Sequence, residues 1–323
     1  MTWNQGWRSF SYLEDCAIKN KSEGQLTIDV WRDAMKKVLV AGATGYLGKF
    51  VVSELKKAGY WVRALARNVK KLRPVEDSID DVFVADATRP ETLTGICSDI
   101  DFVFSSLGIT QQKDGLEFMD VDYGGNVNIL KEARKDNVGK FIYVSVFNAS
   151  KLKHLEIVKA KERFVEELKA SGLEFVIINP NGFFSDMTEF FKMAAKGRVW
   201  LFGDGQCQAN PIHGEDLARF CVSQLDRCNT EIEIGGPEVL THQEVAKLAF
   251  ESLGKEAKIS YVPDGLRRFG IKALRTLFPI RVYGPLEFFM TVLAIDMVAP
   301  SYGRLTIRQY FEGLAKQRES SQS

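Results

Sequence analysis

Apolar runs of strand length recur through the first half of the chain, and the stretches between them repeat their apolar residues every three or four positions. The runs are KVLVA at 37–41, WVRALA at 61–66, DVFVA at 81–85, FVFSS at 102–106, KFIYVS at 140–145 and EFVIIN at 174–179. Helical period predicts helices near 47–57, 90–96, 121–135 and 155–170. This alternation predicts an α/β fold with a doubly wound parallel sheet, because successive parallel strands need crossover connections and those are right-handed. Ligands are then expected at the carboxyl ends of the strands. After residue 180 the regularity fades into GDGQCQANP, GGPE and VPDG, which predicts a smaller, irregular lobe over 181–316 with return segments to the core. Residues 1–34 read as an extension whose Trp3, Trp7 and Trp31 are candidates to pack on the body, with a mispredicted start or a disordered arm as the alternatives, and 317–323 as a flexible polar tail.

The first strand runs into GATGYLG, the start of a helix. Gly42 permits a tight turn, Gly45 lets the backbone approach a pyrophosphate, and Gly48 lets the helix pack closely on the turn. Backbone N–H groups and the positive end of the helix dipole then hold the anion. With Thr44, Tyr46 and Leu47 completing the turn, residues 35–180 read as a Rossmann-type NAD(P)-binding core. The second strand ends in Arg67, with Arg63, Lys70 and Lys71 close by in sequence and no carboxylate before Glu76. A guanidinium suits a ribose 2′-phosphate where a carboxylate would repel it, so NADP(H) is favoured over NAD(H). Asp86, ending the third strand, is a candidate acceptor for the adenine amino group or a cap for TRPETL, a role for which Thr88 competes. Ala87 and Ser105 join the predicted cofactor site at the ends of the third and fourth strands.

Apolar residues at 45%, charged residues at 26% and a net charge of +1 describe a globular chain with no global attraction for nucleic acid. Five scattered cysteines, Cys16, Cys97, Cys207, Cys221 and Cys228, form no CxxC pair, which predicts no metal site and points to a reducing compartment such as cytosol or an organelle matrix. The N-terminus lacks the apolar core of a secretory signal, and Glu14, Asp15, Glu23, Asp29 and Asp33 argue against a transit peptide.

GATGYLG, VDYGGNVNILKEARKDNVGKFIYVSV, LKASGLEFVIINPNGFF and NPIHGEDLA together resemble the short-chain dehydrogenase/reductase superfamily in its atypical, NmrA-like branch, over nearly all of residues 36–314. The branch includes phenylpropanoid ether and double-bond reductases, divinyl chlorophyllide reductases, photosystem-assembly factors and sensors that bind NADPH without turning it over. The resemblance implies an oxidoreductase acting on a carbonyl or conjugated double bond of a hydrophobic small molecule. Its rival is a non-catalytic NADPH-binding sensor or assembly factor.

In the superfamily a tyrosine exchanges the substrate proton, and a lysine four residues later holds the nicotinamide ribose. None of the nine tyrosines here has a lysine four positions on. The best alignment puts Lys161 at the lysine position and Ile157 at the tyrosine position; Lys159 is the competing choice, with Leu155 at the tyrosine position and His154 nearby. In the resembling reductases the lysine itself, a water or the substrate supplies the proton. Ser145 matches the serine that polarises a carbonyl, so Lys161 and Ser145 are the candidate catalytic residues. The competing roles are a solvated helix lysine and a strand-end hydroxyl satisfying local backbone groups.

The turn at Pro180 to Phe183 is expected to face the nicotinamide, with Asn179 where the branch usually has arginine. Phe183, Phe184, Met187, Phe190 and Phe191 suit a core better than a pocket wall, and His213 a structural role better than acid–base work. Over 266–281, Arg267, Arg268, Lys272, Arg275 and Arg281 interleave with Leu266, Phe269, Leu274, Leu277 and Phe278, a composition compatible with peripheral contact to an anionic membrane or with an ordinary amphipathic helix.

Overall fold

The computed structural model describes residues 35–109 and 115–320, so Trp3, Trp7 and Trp31 lie outside the described residues. The first half runs β1 (Lys37–Ala41), α1 (Tyr46–Lys57), β2 (Trp61–Ala66), β3 (Asp81–Val84), β4 (Phe102–Ser105), α2 (Asn126–Lys135), β5 (Lys140–Val144), α3 (Ala149–Leu152), α4 (Glu156–Lys169) and β6 (Glu174–Pro180). The second half runs α5 (Phe184–Ala195), β7 (Val199–Phe202), β8 (Gln208–Ala209), α6 (Gly214–Ser223), β9 (Thr230–Ile234), β10 (Leu240–Thr241), α7 (His242–Glu251), β11 (Ile259–Val262), α8 (Asp264–Leu277), α9 (Ile280–Val292) and α10 (Ile307–Ser320).

Seven strands form one sheet in the order β3-β2-β1-β4-β5-β6-β9, each neighbouring pair parallel. Both faces are covered, which is why β1 and β5 read as unbroken apolar runs. Alternate residues sort onto the two faces: Val38, Val40, Ile142 and Val144 pack with α1 and α6, whereas Leu39, Ala41, Phe141 and Tyr143 pack with α2 and α4. The chain leaves β1 toward β2 and β3, then returns to its other side at β4, opening the crevice at which such sheets bind ligands.

Residues beyond 180 serve two layers. β9 extends the sheet beside β6, and α6 lies against α1. A separate apolar cluster joins α5, α7 and α10, with Phe184, Phe190, Phe250 and Phe311 fully buried, each side chain contributing about 1.5–3 kcal/mol. Met187 and Phe191 belong to the same cluster, so this aromatic stretch is core.

Three local readings change. The helix expected at 90–96 is only a 3-10 turn at Pro90–Thr92. Thr92 Oγ donates to Asp86 O and Arg89 O, and Gly95 takes a left-handed φ of 79°, so side-chain bonding and a reversing glycine stop helix growth. The helix expected at 121–135 begins instead in a π-helical turn, Met119–Gly125, whose Asp122 is fully buried, as is Asn126 at the start of α2. Residues 317–320, expected as tail, continue α10 because Gln317, Arg318 and Glu319 are good helix formers.

Candidate functional site

The strand ends of β1, β4, β5 and β6 bring the predicted cofactor residues to one edge of the sheet. At β1 the turn is tight: Gly42 has φ 86° and its carbonyl accepts from Gly45 N at 2.9 Å. A Cβ on Gly42 would stand 2.9 Å from the Ser106 backbone, and one on Gly48 only 2.0 Å from Gly42 O. Only glycine lets α1 start this close to the strand. Gly45 caps α1 without any side-chain hydrogen bond, leaving the N–H groups at Tyr46 and Leu47 to an external acceptor. An uncapped helix start over a glycine cradle fits a pyrophosphate. Thr44 is half-buried beside it, and Leu47 is buried beneath it.

The side chain of Tyr46 does something the motif did not indicate. Its Oη accepts from Gly214 N at 3.0 Å, tying α1 to the start of α6, and burial raises its pKa. Its ring packs against Phe50, Phe183 and His213. His213 caps α6 through Nδ1, which accepts from Glu215 N at 3.2 Å, and burial lowers its pKa. A neutral ring that must accept a backbone proton is a structural histidine.

At the ends of β2 and β3, Arg67 is 53% exposed and stands 3.8 Å from Asp86 Oδ2. A carboxylate therefore does approach this guanidinium, from the neighbouring strand. Asp86 Oδ1 accepts from both Thr88 N and Thr88 Oγ, which makes a local Asx turn; burial opposes its charge, but Thr88, Arg67 and Arg89 together lower its pKa. Arg63, close to Arg67 in sequence, is committed elsewhere: it pairs with Asp81 at 2.6 Å and donates to Ile96 O and Ser98 O. Ala87 is buried, and its carbonyl accepts from Asn128.

Ser105, at the end of β4, is fully buried with its hydroxyl donating to Asn126 Oδ1 at 2.5 Å and accepting from Leu107 N. Any contact it makes with a cofactor is through backbone. Pro180 closes β6, and its carbonyl accepts from Phe147 N at 3.2 Å. The turn after it is held by Asn181, which donates to Asn210 Oδ1 at 2.7 Å and to Met297 O, joining the sheet edge to the C-terminal lobe.

Both candidate catalytic residues lie at the carboxyl end of β5. Tyr143 and Ser145 project toward the same side, by the two-residue period of a strand, and Lys161 of α4 reaches the strand end at Tyr143 and Val144. Lys161 Nζ lies 3.5 Å from Val144 O and 5.4 Å from the Tyr143 ring centre. Its side chain is only 14% exposed and meets the fully buried Asp122 at 3.2 Å, so it is no solvated surface lysine. Lys159 points outward and pairs with Glu156 at 2.5 Å. The Ser145 hydroxyl is buried with no hydrogen-bond partner among the described residues, so it does not satisfy local backbone. A buried hydroxyl with no partner among the described residues, one residue beyond the carbonyl that Lys161 approaches, fits a ligand that brings its own acceptor or donor. Burial pushes the Tyr143 phenol up to about 12.

Asp122, Tyr143, Asn126 and Gly108 were not among the sequence candidates. The available signal was the pair Asp122 and Asn126, polar residues one turn apart on the inward side of a helix, but it is meaningful only once that side is known to be buried.

Comparison with known proteins gives concordant likenesses. The profile of an NAD(P)H-binding domain family matches residues 42–227. Divinyl chlorophyllide a 8-vinyl-reductase, chloroplastic, from Zea mays is 30% identical over 88% of this chain and 82% of its own. The Photosystem II assembly factor Ycf39 of Guillardia theta is 27% identical over 70% of this chain and 73% of its own. An NADPH-dependent quinone oxidoreductase from Escherichia coli, solved with NADPH, superposes with a TM-score of 0.64 over 86% of this chain and 99% of its own. At 15% identity that last likeness speaks to the fold alone.

Proposed function

Because the chain belongs to the atypical short-chain dehydrogenase/reductase family, with an NAD(P)H-binding domain, we propose that it is an NADPH-dependent reductase acting on a conjugated double bond or carbonyl of a large hydrophobic molecule. The observation that carries this reading is the buried Ser145 hydroxyl, without a hydrogen-bond partner among the described residues, one residue beyond the Val144 carbonyl that the largely buried Lys161 side chain approaches at the carboxyl end of β5. Bound NADPH supplies a hydride. Gly42, Gly45 and Gly48 with the first N–H groups of α1 hold the pyrophosphate, and Arg67 takes the 2′-phosphate in place of its long contact with Asp86. Lys161 holds the nicotinamide ribose, and Ser145 donates to a substrate oxygen or polarised π-system. The maize relative, named for reduction of a vinyl group, favours the double bond over the carbonyl.

The test is NADPH absorbance with a panel of divinyl chlorophyllide a, enones, quinones and aromatic ketones. Substrate-dependent oxidation, reduced strongly in Ser145→Ala, is the expected result. The second reading, an NADPH-binding assembly factor, is favoured by the missing tyrosine and the likeness to Ycf39. Tight NADPH binding with no turnover of any panel member would favour it.

Peripheral membrane contact through 266–281 is part of the proposal. No residue of α8 is buried, and Leu266, Phe269 and Leu277 are 59%, 69% and 72% exposed along one face, while Lys272 on the same helix and Arg281 at the start of α9 are exposed as well. Among the described residues no helix is long and apolar enough to cross a membrane. Co-flotation with phosphatidylglycerol-containing vesicles, lost in a Phe269→Ser and Leu277→Ser double variant, is the expected outcome; equal flotation of both proteins would remove this face from the contact.

A further inference from the structure

Lys161 occupies the apolar stripe of α4 that continues through Phe164, Val165 and Leu168, all buried. An ammonium there needs a buried counter-charge. Asp122 provides it from the π-helical turn: Oδ1 meets Lys161 Nζ at 3.2 Å as an ion pair without an aligned hydrogen bond, and Oδ2 accepts from Ile109 N at 3.0 Å. Asn126 fixes the turn by donating to Asp122 O at 2.8 Å and to Leu107 O at 3.2 Å. Gly108 keeps the space clear, since a Cβ there would stand 2.6 Å from Asp122 Oδ1 and 3.4 Å from Lys161 Nζ. Three elements are thus arranged around one contact.

We propose that Asp122 is a positioning residue that pins Lys161 as a fixed cation, so that Lys161 binds the nicotinamide ribose and developing negative charge but does not deliver the proton of the reaction. The inference rests on the reading of Lys161 as a site residue given above. Proton transfer from Lys161 would leave a neutral amine and strand the Asp122 carboxylate in a fully buried position. Reduction of a conjugated double bond would need a hydride at one carbon, which bound NADPH would supply, while the electron pair of the double bond moves to the other carbon and takes up a proton there. On this assignment the proton comes from water, and Lys161 remains an ammonium throughout. The groups acting on Lys161 are Tyr143 from β5 and Asp122 from the π-helical turn, with Glu162 of α4 acting on Tyr143. Burial drives Lys161 and Asp122 toward their neutral forms; for Lys161, Tyr143 and Asp122 outweigh it and raise the pKa, whereas Asp122 is left raised despite Lys161. The 3.2 Å approach of the two groups makes the charged lysine the form that holds.

The experiment is an NMR titration of the cofactor-free protein carrying labelled lysine, with Lys161→Arg assigning the signal. In wild type Lys161 is expected to stay protonated beyond the ordinary lysine value of about 10.4. In Asp122→Asn, which keeps an acceptor for Ile109 N but removes the charge, its midpoint is expected to fall by at least one pH unit. The same midpoint in both proteins would overturn the proposal. NADPH affinity is read alongside, by fluorescence titration: in Asp122→Asn it should drop about tenfold as pH rises through the new midpoint, while wild type stays flat. A weakening independent of pH would show that Asp122 only braces the loop at Ile109, and would equally overturn it. Should Asp122→Asn fail to fold, Gly108→Ala displaces the pair without removing a charge and is expected to lower the same midpoint; an unchanged midpoint there counts against the proposal. None of these readings needs a substrate, so the inference stands or falls separately from the reductase reading.

Discussion

The phosphate turn and the lysine pocket lie at the same carboxyl edge of the sheet but are built in opposite ways. In the turn, the constraints that shape the backbone join near neighbours in sequence, with Ser106 the one distant residue pressing on Gly42: Gly45 N bonds to Gly42 O, and Gly48 lets the helix rest against that same carbonyl. The pocket joins residues from four separate segments, with Lys161 on α4, Asp122 in the π-helical turn, Tyr143 on β5 and Gly108 after β4. The turn is a steric device that a motif can encode. The pocket is an electrostatic device that exists only when the sheet has assembled, and its parts depend on one another because each buried polar group needs the others.

Breaking the turn should have the largest effect. Gly48→Ala puts a Cβ at 2.0 Å from a backbone oxygen that cannot yield without reopening the turn, so a stability loss above about 3 kcal/mol and loss of NADPH binding are expected by urea denaturation and fluorescence titration. Unchanged stability would show that the turn relaxes easily.

Breaking the pocket should cost about 3 kcal/mol. Lys161→Ala leaves Asp122 buried without its cation. Burial then raises the folded pKa of Asp122 further above its unfolded value, so the folded state binds the extra proton. The variant's stability should therefore be highest below about pH 4 and fall as pH rises, by up to about 1.4 kcal/mol per unit until the folded pKa is passed. A pH-independent loss in the denaturation curves would mean that Asp122 is already neutral in the wild type.

Arg67→Ala sharpens the comparison at the far end of the cofactor. A charge-assisted bond to a 2′-phosphate contributes about 1.5–3 kcal/mol, and half-exposure puts Arg67 at the lower end, so NADPH affinity should drop about tenfold while NADH affinity stays level. Equal losses for the two cofactors would place Arg67 outside the 2′ site.

His213 links the turn to the C-terminal lobe and should matter by about 1 kcal/mol, the worth of a helix cap. Its folded pKa is depressed by burial, so this stability is present above the unfolded value of about 6.5 and is lost as pH falls through the folded pKa. A His213→Asn variant, which keeps a capping acceptor, should lose that acid sensitivity. The smallest stability effect is expected for Ser145→Ala, within about 0.5 kcal/mol, because its hydroxyl has no partner among the described residues to lose. A stability loss well beyond this in thermal unfolding would show that the hydroxyl is bonded after all.

Much of the fold was legible in the chain because its signals are local or periodic. Six of the sheet strands appear as apolar runs, and the glycine turn appears as a spacing, since strand period and glycine sterics act between close neighbours. The seventh strand, TEIEI at 230–234, was not singled out: at the sheet edge its alternate residues face solvent, and the run is short. The expected helix at 90–96 failed for a local reason that propensity overlooks, the bonding of Thr92 to two carbonyls.

The sequence by itself determined the parallel α/β sheet, the phosphate turn and the absence of the tyrosine four residues before Lys161, all of which follow from residue type and spacing. Only the tertiary structure decided that the Lys161 side chain is largely buried, that Asp122 is its partner, that the Ser145 hydroxyl has none among the described residues, and that Arg67 meets a carboxylate from the neighbouring strand. The physical reason is that steric and periodic constraints act along the chain, whereas the cost of burying a charge, and therefore the identity of its counter-ion, depends on which distant segments the fold brings within a few ångströms.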